Sequence, residues 1–408
     1  MKKPELLAPA GNLAKLKTAV QYGADAVYFG GEEFSLRTAC DNFSPDDLKR
    51  GIDYVKSRGK KAYAATNIIM RDGDFDGLYR FARELHDLGA DGVILADLGA
   101  LDVVREAAPS LPIHISTQAN TTNHRSAALL HRLGAKRVVL ARELGEADVR
   151  ELREKAPQSL ELEMFVHGAM CVSYSGRCLL SGYMAGRDAN RGECAHPCRW
   201  KYHLVEEKRP GEYIPVFEND SGSFFFNSKD LCLIEFLPQI IGAGVDALKI
   251  EGRVKSEYYA ATVVKAYREE LDRYLDNPET YVFDPARLDE LRKVSHREYS
   301  YGFWQGRPNG GGQIYDRSAY IREYDVAGIV TECDADGNAV ITQKNKFSAG
   351  DEVEVIRPKG GFLTMTLGKL YDADGAEIDS APHAGMTVKT RLAEYAEPYA
   401  MLRKKRML

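Results

Sequence analysis

Four cysteines fall within twenty-eight residues, Cys171, Cys178, Cys194 and Cys198, spaced C-x6-C-x15-C-x3-C. Four gathered thiolates suit a soft metal better than a packed core, where free cysteines are normally scattered singly. Gly176, Gly182, Gly186, Gly192 and Pro197 interrupt the run, so the cysteines sit on turns where sulfurs can converge. Structural zinc sites usually carry two C-x2-C knuckles, and none of these gaps is one. The spacing therefore leans toward an iron–sulfur cluster, with zinc as the alternative occupant. The other three cysteines, Cys40, Cys232 and Cys333, lie far apart. An odd total in a chain read as cytoplasmic points to metal or redox chemistry and away from structural disulfides.

At 408 residues, with 44% hydrophobic and 28% charged residues, the chain has room for two or three domains. No apolar run approaches the ~20 residues needed to span a bilayer. Glu5, Lys15 and Lys17 break the start of the chain, so no signal peptide is read and a cytoplasmic protein is expected. A net charge of −5 argues against a protein that coats nucleic acid non-specifically. It leaves room for one folded RNA recognised through a local basic patch. Arg177, Arg187, Arg191, Arg199 and Lys201, in or beside the cysteine run, supply such a patch. The terminal run from Arg403 to Arg406 reads as a solvated tail.

The elements that must position this chemistry repeat one theme. A short β-branched or aromatic run is followed by an amphipathic helical stretch and a Gly-Ala or Gly-Ala-Asp step. Strands are predicted at 5–9, 26–30, 61–66, 92–97, 113–118, 137–142, 161–167 and 247–253, with helices at 13–22, 78–88 and 126–133 among those between them. Eight β–α units in about 250 residues is the arithmetic of a TIM-like (β/α)8 barrel. An open doubly wound sheet would carry a GxGxxG turn after its first strand, and Pro9-Ala10-Gly11-Asn12 is not one. The catalytic barrel is placed at 1–275. The long gap between the seventh and eighth strands marks a cysteine-containing insertion at 168–245, on the face where barrels do chemistry. Helices at 256–275 and 285–294 lead through a linker, 276–319, to a small antiparallel β-barrel at 320–400 whose hairpin signals include 334–338.

Strand ends supply the catalytic candidates: Asn67, Asp97, Gln118, Arg142, Glu143, His167, Glu251 and Arg253. His167 precedes the first cysteine by four residues and is read as a proton shuttle or positioning group. Lys249, Glu251 and Arg253 alternate, so they are expected on one side of the eighth strand. Arg253 is then free to clamp a small-molecule carboxylate or phosphate.

Several stretches together carry a resemblance. Glu163-x-Phe165-x2-Gly168-Ala169-Met170-Cys171-x4-Gly176-x-Cys178-x-Leu180-Ser181 is similar to the signature of peptidase family U32. The LLAPAGN start, YFGG at 28–31, STQAN at 116–120, FNSKDL at 226–231 and KIEGR at 249–253 extend it over much of the chain. The family includes tRNA hydroxylases, a ribosomal RNA hydroxylase and a pair that hydroxylates ubiquinone without oxygen. These carry [4Fe-4S] clusters on cysteines of this motif. Length, RCLLSGYM, RGEC and PCRW make the chain resemble the tRNA branch, which implies 5-hydroxyuridine formation at the wobble uridine, with prephenate as co-substrate. The resemblance also makes Cys171, Cys178, Cys194 and Cys198 the cluster ligands, with Cys40 or Cys232 as replacements for the fourth. The alternatives are a collagenase-like peptidase and a non-catalytic iron–sulfur or RNA-binding partner protein. No G-x-S-x-G or H-E-x-x-H is present to support the peptidase. Tyr174, Tyr183, Trp200, Tyr301 and Phe303 are placed to receive a base turned out of its stack.

Overall fold

The computed structural model describes residues 2–36, 41–200, 218–219, 222–223, 228–308, 312, 314 and 320–406. β1 (Glu5–Pro9), β2 (Ala26–Phe29), β3 (Lys61–Thr66), β4 (Gly92–Leu95), β5 (Ile113–Ile115), β6 (Ala135–Val139) and β7 (Glu161–Ala169) pair in parallel, in chain order. Within the insertion, β8 (Asp230–Cys232) runs antiparallel to the end of β7. β9 (Ala247–Ile250) then pairs with both β7 and β1 and closes an eight-stranded parallel barrel.

Each strand is short, apolar and followed by a residue that starts the next helix. Asn12, Ser44, Asp97 and Asn123 accept backbone N–H bonds at the first turns of α1 (Leu13–Gln21), α2 (Pro45–Lys56), α4 (Leu98–Ala107) and α5 (His124–Arg132). α3 (Phe75–Asp87) and α6 (Glu146–Lys155) complete the ring around the first seven strands. Asp97, a catalytic candidate from its strand-end position, is therefore a helix cap: β4 stops at Leu95. Strand alternation sends Leu6 and Ala8 outward to the helices, whereas Leu7, Ala26, Tyr28, Tyr63 and Ile94 form a separate interior group. That interior also holds charge. Glu163 accepts from Arg137 at 3.0 Å and from Lys249 at 2.7 Å, and Glu5 accepts from Arg137 at 2.7 Å.

The insertion also contains α7 (Leu180–Ala185) and α8 (Leu237–Gly242). After β9 come α9 (Glu257–Asp276) and α10 (Ala286–Arg292), and β10 (Tyr299–Ser300) pairs with β8 in a stretch whose glycines and aromatics read as a loop. The C-terminal region is an antiparallel sheet of eight strands. Its longer members are β11 (Tyr324–Cys333), β12 (Asn338–Gln343), β13 (Glu352–Ile356), β14 (Phe362–Thr366), β15 (Thr387–Arg391) and β16 (Met401–Lys405). It surrounds its own core, including Val330, Ile341, Phe347, Val355 and Leu402.

The terminal basic run is not a solvated tail. Arg403 sits inside β16 with no solvent exposure and binds Glu290 of α10 at 2.7 Å and Glu354 of β13. Tyr22 of α1 donates to the carbonyls of Ile356 and Tyr399, a second tie between barrel and sheet.

Candidate active site

The cysteine insertion lies across the C-terminal mouth of the barrel and is pinned there by side chains from several strand ends. Arg142, just past β6, donates to the Ala169 carbonyl at 2.7 Å and to Ser175 Oγ at 3.5 Å. Asn120, in the left-handed region with φ 54, donates to the carbonyls of Gln118 and Ser175. Asn190 donates to the Cys178 carbonyl, and its own carbonyl accepts from Ile69 beyond β3. Arg191 clamps Asp74 with two nitrogens, at 2.7 and 3.1 Å, and also holds the Ile69 carbonyl. The hydrogen bonds from Arg191 hold the Asp74 carboxyl below the usual range.

These ties bring Cys171, Cys178, Cys194 and Cys198 into one neighbourhood. Burial pushes the Cys198 thiol up; the Arg199 charge opposes this, while charge on Cys171, Cys194 or Cys178 would add to it. The Cys198 sulfur is thus within electrostatic reach of the other three. They are not yet a finished coordination sphere: among the described residues no three His, Cys, Asp or Glu side chains stand ready to hold a metal ion. Cys171 is exposed and the other three are partly so. Cys40 lies outside the described residues, and Cys232 is buried behind β7 with its sulfur 4.0 Å from the Tyr267 hydroxyl.

Beside the insertion, Ser116 Oγ accepts from Asn67 Nδ2 and from the Gln118 backbone, both at 3.3 Å. Asn67 Oδ1, Gln118 Oε1 and Asn120 Oδ1 are buried without a hydrogen-bonding partner among the described residues. Gln118 also approaches Gly176, where an added Cβ would sit 3.1 Å from Oε1. Sequence reasoning picked Asn67 and Gln118 and missed Ser116 and Asn120, although both belong to the STQAN stretch.

Other candidates are placed differently from expectation. His167 does not face the mouth. One extra residue on β7 opposite Lys249 and Ile250 shifts the register and turns the ring outward, against Tyr259 and Tyr267 of α9 and Tyr299 of β10. It is 1% exposed, and burial, then the charges of His296 and Lys255, push it down to about 3. A neutral, enclosed ring is a poor proton shuttle for a substrate in the mouth.

Lys249, Glu251 and Arg253 do not share one side of a strand. β9 ends at Ile250, and Gly252 adopts φ +157, where a Cβ would lie 2.4 Å from Tyr259. The alternation breaks there. Lys249 stays inside with Glu163, Glu251 accepts from Tyr28 at 3.3 Å, and Arg253 reaches across to Ser35 Oγ at 2.6 Å and Asn42 Oδ1 at 2.8 Å. Glu143 is partly buried, which pushes its carboxyl up.

The basic candidates separate in the same way. Arg177 and Arg187 are exposed, alongside Tyr174, Leu179, Tyr183, Met184 and Trp200. Arg199 is half-buried, and its charge bears on Arg297. Arg191 is committed to Asp74, and Lys201 lies outside the described residues. Arg297, buried and paired with Asp230 at 3.4 Å, carried no sequence signal of its own.

Comparison with known proteins adds relatives to this geometry. The model of peptidase family U32 matches residues 11–313, and that of the peptidase family U32 C-terminal domain matches 322–403. The chain is 42% identical over 404 residues to tRNA hydroxylation protein P1 of Bacillus subtilis (strain 168), covering 99% of this chain and 95% of that one. It is 36% identical over 429 residues to tRNA hydroxylation protein P of Escherichia coli (strain K12), covering 95% and 93%. It is 33% identical over 272 residues to the 23S rRNA 5-hydroxycytidine C2501 synthase of the same organism, covering 67% and 40%. Among the described residues no helix is long and apolar enough to cross a membrane.

Proposed function

The chain belongs to peptidase family U32, and from that membership we propose that it is a tRNA-modifying hydroxylase forming 5-hydroxyuridine at the wobble position. The observation that carries this reading is the position of the cysteine group. The insertion that carries the four cysteines is pinned over the barrel mouth by Arg142, Asn120, Asn190 and Arg191, beside buried polar atoms without a partner among the described residues and near exposed arginines and aromatic rings. Four soft, mutually repelling donors fit a thiolate-bound centre, so Cys171, Cys178, Cys194 and Cys198 would hold a [4Fe-4S] cluster. Zinc is the alternative occupant. When bound, the cluster supplies one-electron redox chemistry at the mouth.

The chain's own residues prepare the substrate. Arg177, Arg187 and Arg199 draw tRNA phosphates to a molecule whose net charge is −5. Tyr174, Tyr183 and Trp200 receive a base turned out of the anticodon loop. Asn67 Oδ1 and Gln118 Oε1 are acceptors without donors among the described residues, and the N3–H of uracil is a donor that satisfies one of them. A prephenate-like dicarboxylate is the proposed co-substrate. Arg253 donates to Ser35 Oγ and Asn42 Oδ1, and a carboxylate is a stronger acceptor than either of these oxygens for its fork.

Outside the four-cysteine group, neither described cysteine offers the peptidase reading an activated nucleophile. The Cys232 thiol is pushed up to about 12 by burial, and Cys333 is held to the neighbouring Asp334 carbonyl in the C-terminal sheet. The test is iron content and visible charge-transfer absorbance of anaerobically purified protein, wild type against single Cys→Ala variants. The reading expects Cys171, Cys178, Cys194 and Cys198 each to be required and Cys232 not to be. Peptide cleavage by a colourless, metal-free preparation would overturn it.

A further inference from the structure

A cavity of about 510 Å3 opens between the barrel and the C-terminal sheet, away from the cysteine group. Its volume falls within the range of small-ligand sites. The barrel contributes Lys255 and Tyr259, and the sheet side contributes Tyr320, Arg322, Tyr324 and Lys344. Three cations and four tyrosines line it against one carboxylate, Glu257, in a chain of net charge −5. Arg322 and Lys344 are about half exposed and hold only partly exposed local carboxylates, Asp325 at 2.5 Å and Glu257 at 3.8 Å. Val326, Ile329 and Met401 make an apolar wall. Cationic edges, aromatic rings and an apolar wall in one cavity are the components that hold a nucleotide: phosphate on the cations, base on the rings.

A series of cations lies between the cysteine insertion and the cavity. Arg199 follows Cys198, and its charge bears on Arg297. Arg297 lies 4.4 Å over the Tyr320 ring, and Lys255 lies 3.9 Å over the same ring. The Tyr320 ring thus holds Lys255 and Arg297 by its face, leaving Tyr324 and the apolar wall for the base. This run of cations points from the modification centre to the junction of the two regions.

We propose that this inter-domain cavity is a second RNA-holding site, taking one nucleotide of the tRNA distant from the base being modified. The inference rests on the tRNA reading above and assigns the C-terminal sheet a part in substrate binding.

The test uses the full-length protein and unmodified tRNA transcript, with affinity measured by fluorescence anisotropy across a salt series. Arg322→Glu with Lys344→Glu removes two phosphate partners, so affinity should fall about tenfold or more and the salt slope should shrink by about two. Val254→Trp places a ring at the cavity rim, where Val254 is 53% exposed, without changing charge. It should weaken binding by a similar factor while circular dichroism stays unchanged. If Val254→Trp binds as the wild type does, the cavity is not the site and the charge effect is surface electrostatics alone. If both variants bind normally while the wild type binds tRNA well, the inference falls and the tRNA reading stands. If the wild type binds no tRNA at low salt, both fall together.

Discussion

The two ends of the barrel treat buried polar groups in opposite ways. In the interior near the N-terminal end, Glu5, Arg137, Glu163 and Lys249 are buried together, and every one of them is in an ion pair. Only His114 Nδ1 goes without a partner there among the described residues. At the C-terminal mouth, Asn67, Gln118 and Asn120 each leave a buried side-chain atom unpartnered among the described residues, within a few residues of one another in space. Buried polar atoms are normally satisfied, so a cluster of exceptions calls for an explanation. A closed network is a stability device, whereas an open one at the end of barrel strands is a place where a ligand completes the bonding.

Breaking the closed end should have the largest effect. Glu163→Ala takes the carboxylate partner from buried Lys249 and one of three from Arg137, which keeps Glu5 and Glu161, and leaving the Lys249 charge buried without it should cost about 3–5 kcal/mol in chemical denaturation. A loss under about 1 kcal/mol would mean that the interior network is not what it looks like.

Acid should act next, through histidines caught behind the strands. The folded His167 sits at about 3, below its unfolded value near 6.5, because burial and then His296 and Lys255 disfavour its charged form; His296 is also pushed down, chiefly by burial. The unfolded chain therefore binds more protons below pH ~6.5, and stability should fall on the order of 1 kcal/mol per pH unit and per histidine as pH drops through that range. Tyr259, Tyr267 and Tyr299 enclose the ring and stay neutral throughout. His167→Phe should flatten the slope measured by denaturant midpoints at stepped pH, and an unchanged slope would remove His167 from the account.

The open end should barely register in stability. Gln118→Leu removes an acceptor unpartnered among the described residues, and Asn67→Leu removes another together with one long bond to Ser116, so unfolding should shift by less than about 1 kcal/mol for the first and about 1 kcal/mol for the second. Hydroxylation of tRNA should nonetheless drop by about tenfold or more. Equal losses of stability and activity would make the mouth an ordinary piece of core.

Much of this contrast was legible in the sequence, because it depends on local patterns. The eight barrel strands follow from short apolar runs punctuated by Gly-Ala-Asp steps, and the insertion announces itself through cysteines and glycines. Asn67 and Gln118 were found because they were read as strand ends, although β5 stops at Ile115 and Gln118 lies in the turn beyond it. What escaped was set by contacts between distant residues. Arg191 looks like a free cation until Asp74, 117 positions away, is folded against it. A single extra residue on β7 reverses the facing of His167, and one glycine at φ +157 separates Arg253 from Glu251. Arg403 reads as tail because its partners, Glu290 and Glu354, are assembled only by the packing of sheet on helix.

The central claim is that the thiol group at the open end serves tRNA hydroxylation. The most direct measurement is mass spectrometry of tRNA nucleosides from cells lacking this protein, complemented with the wild type or with Cys171→Ala. The account predicts that 5-hydroxyuridine and nucleosides derived from it disappear in the deletion, return with the wild type and do not return with the variant. Unchanged nucleoside levels in the deletion, in cells with no second enzyme for the same modification, or full rescue by Cys171→Ala, would contradict it.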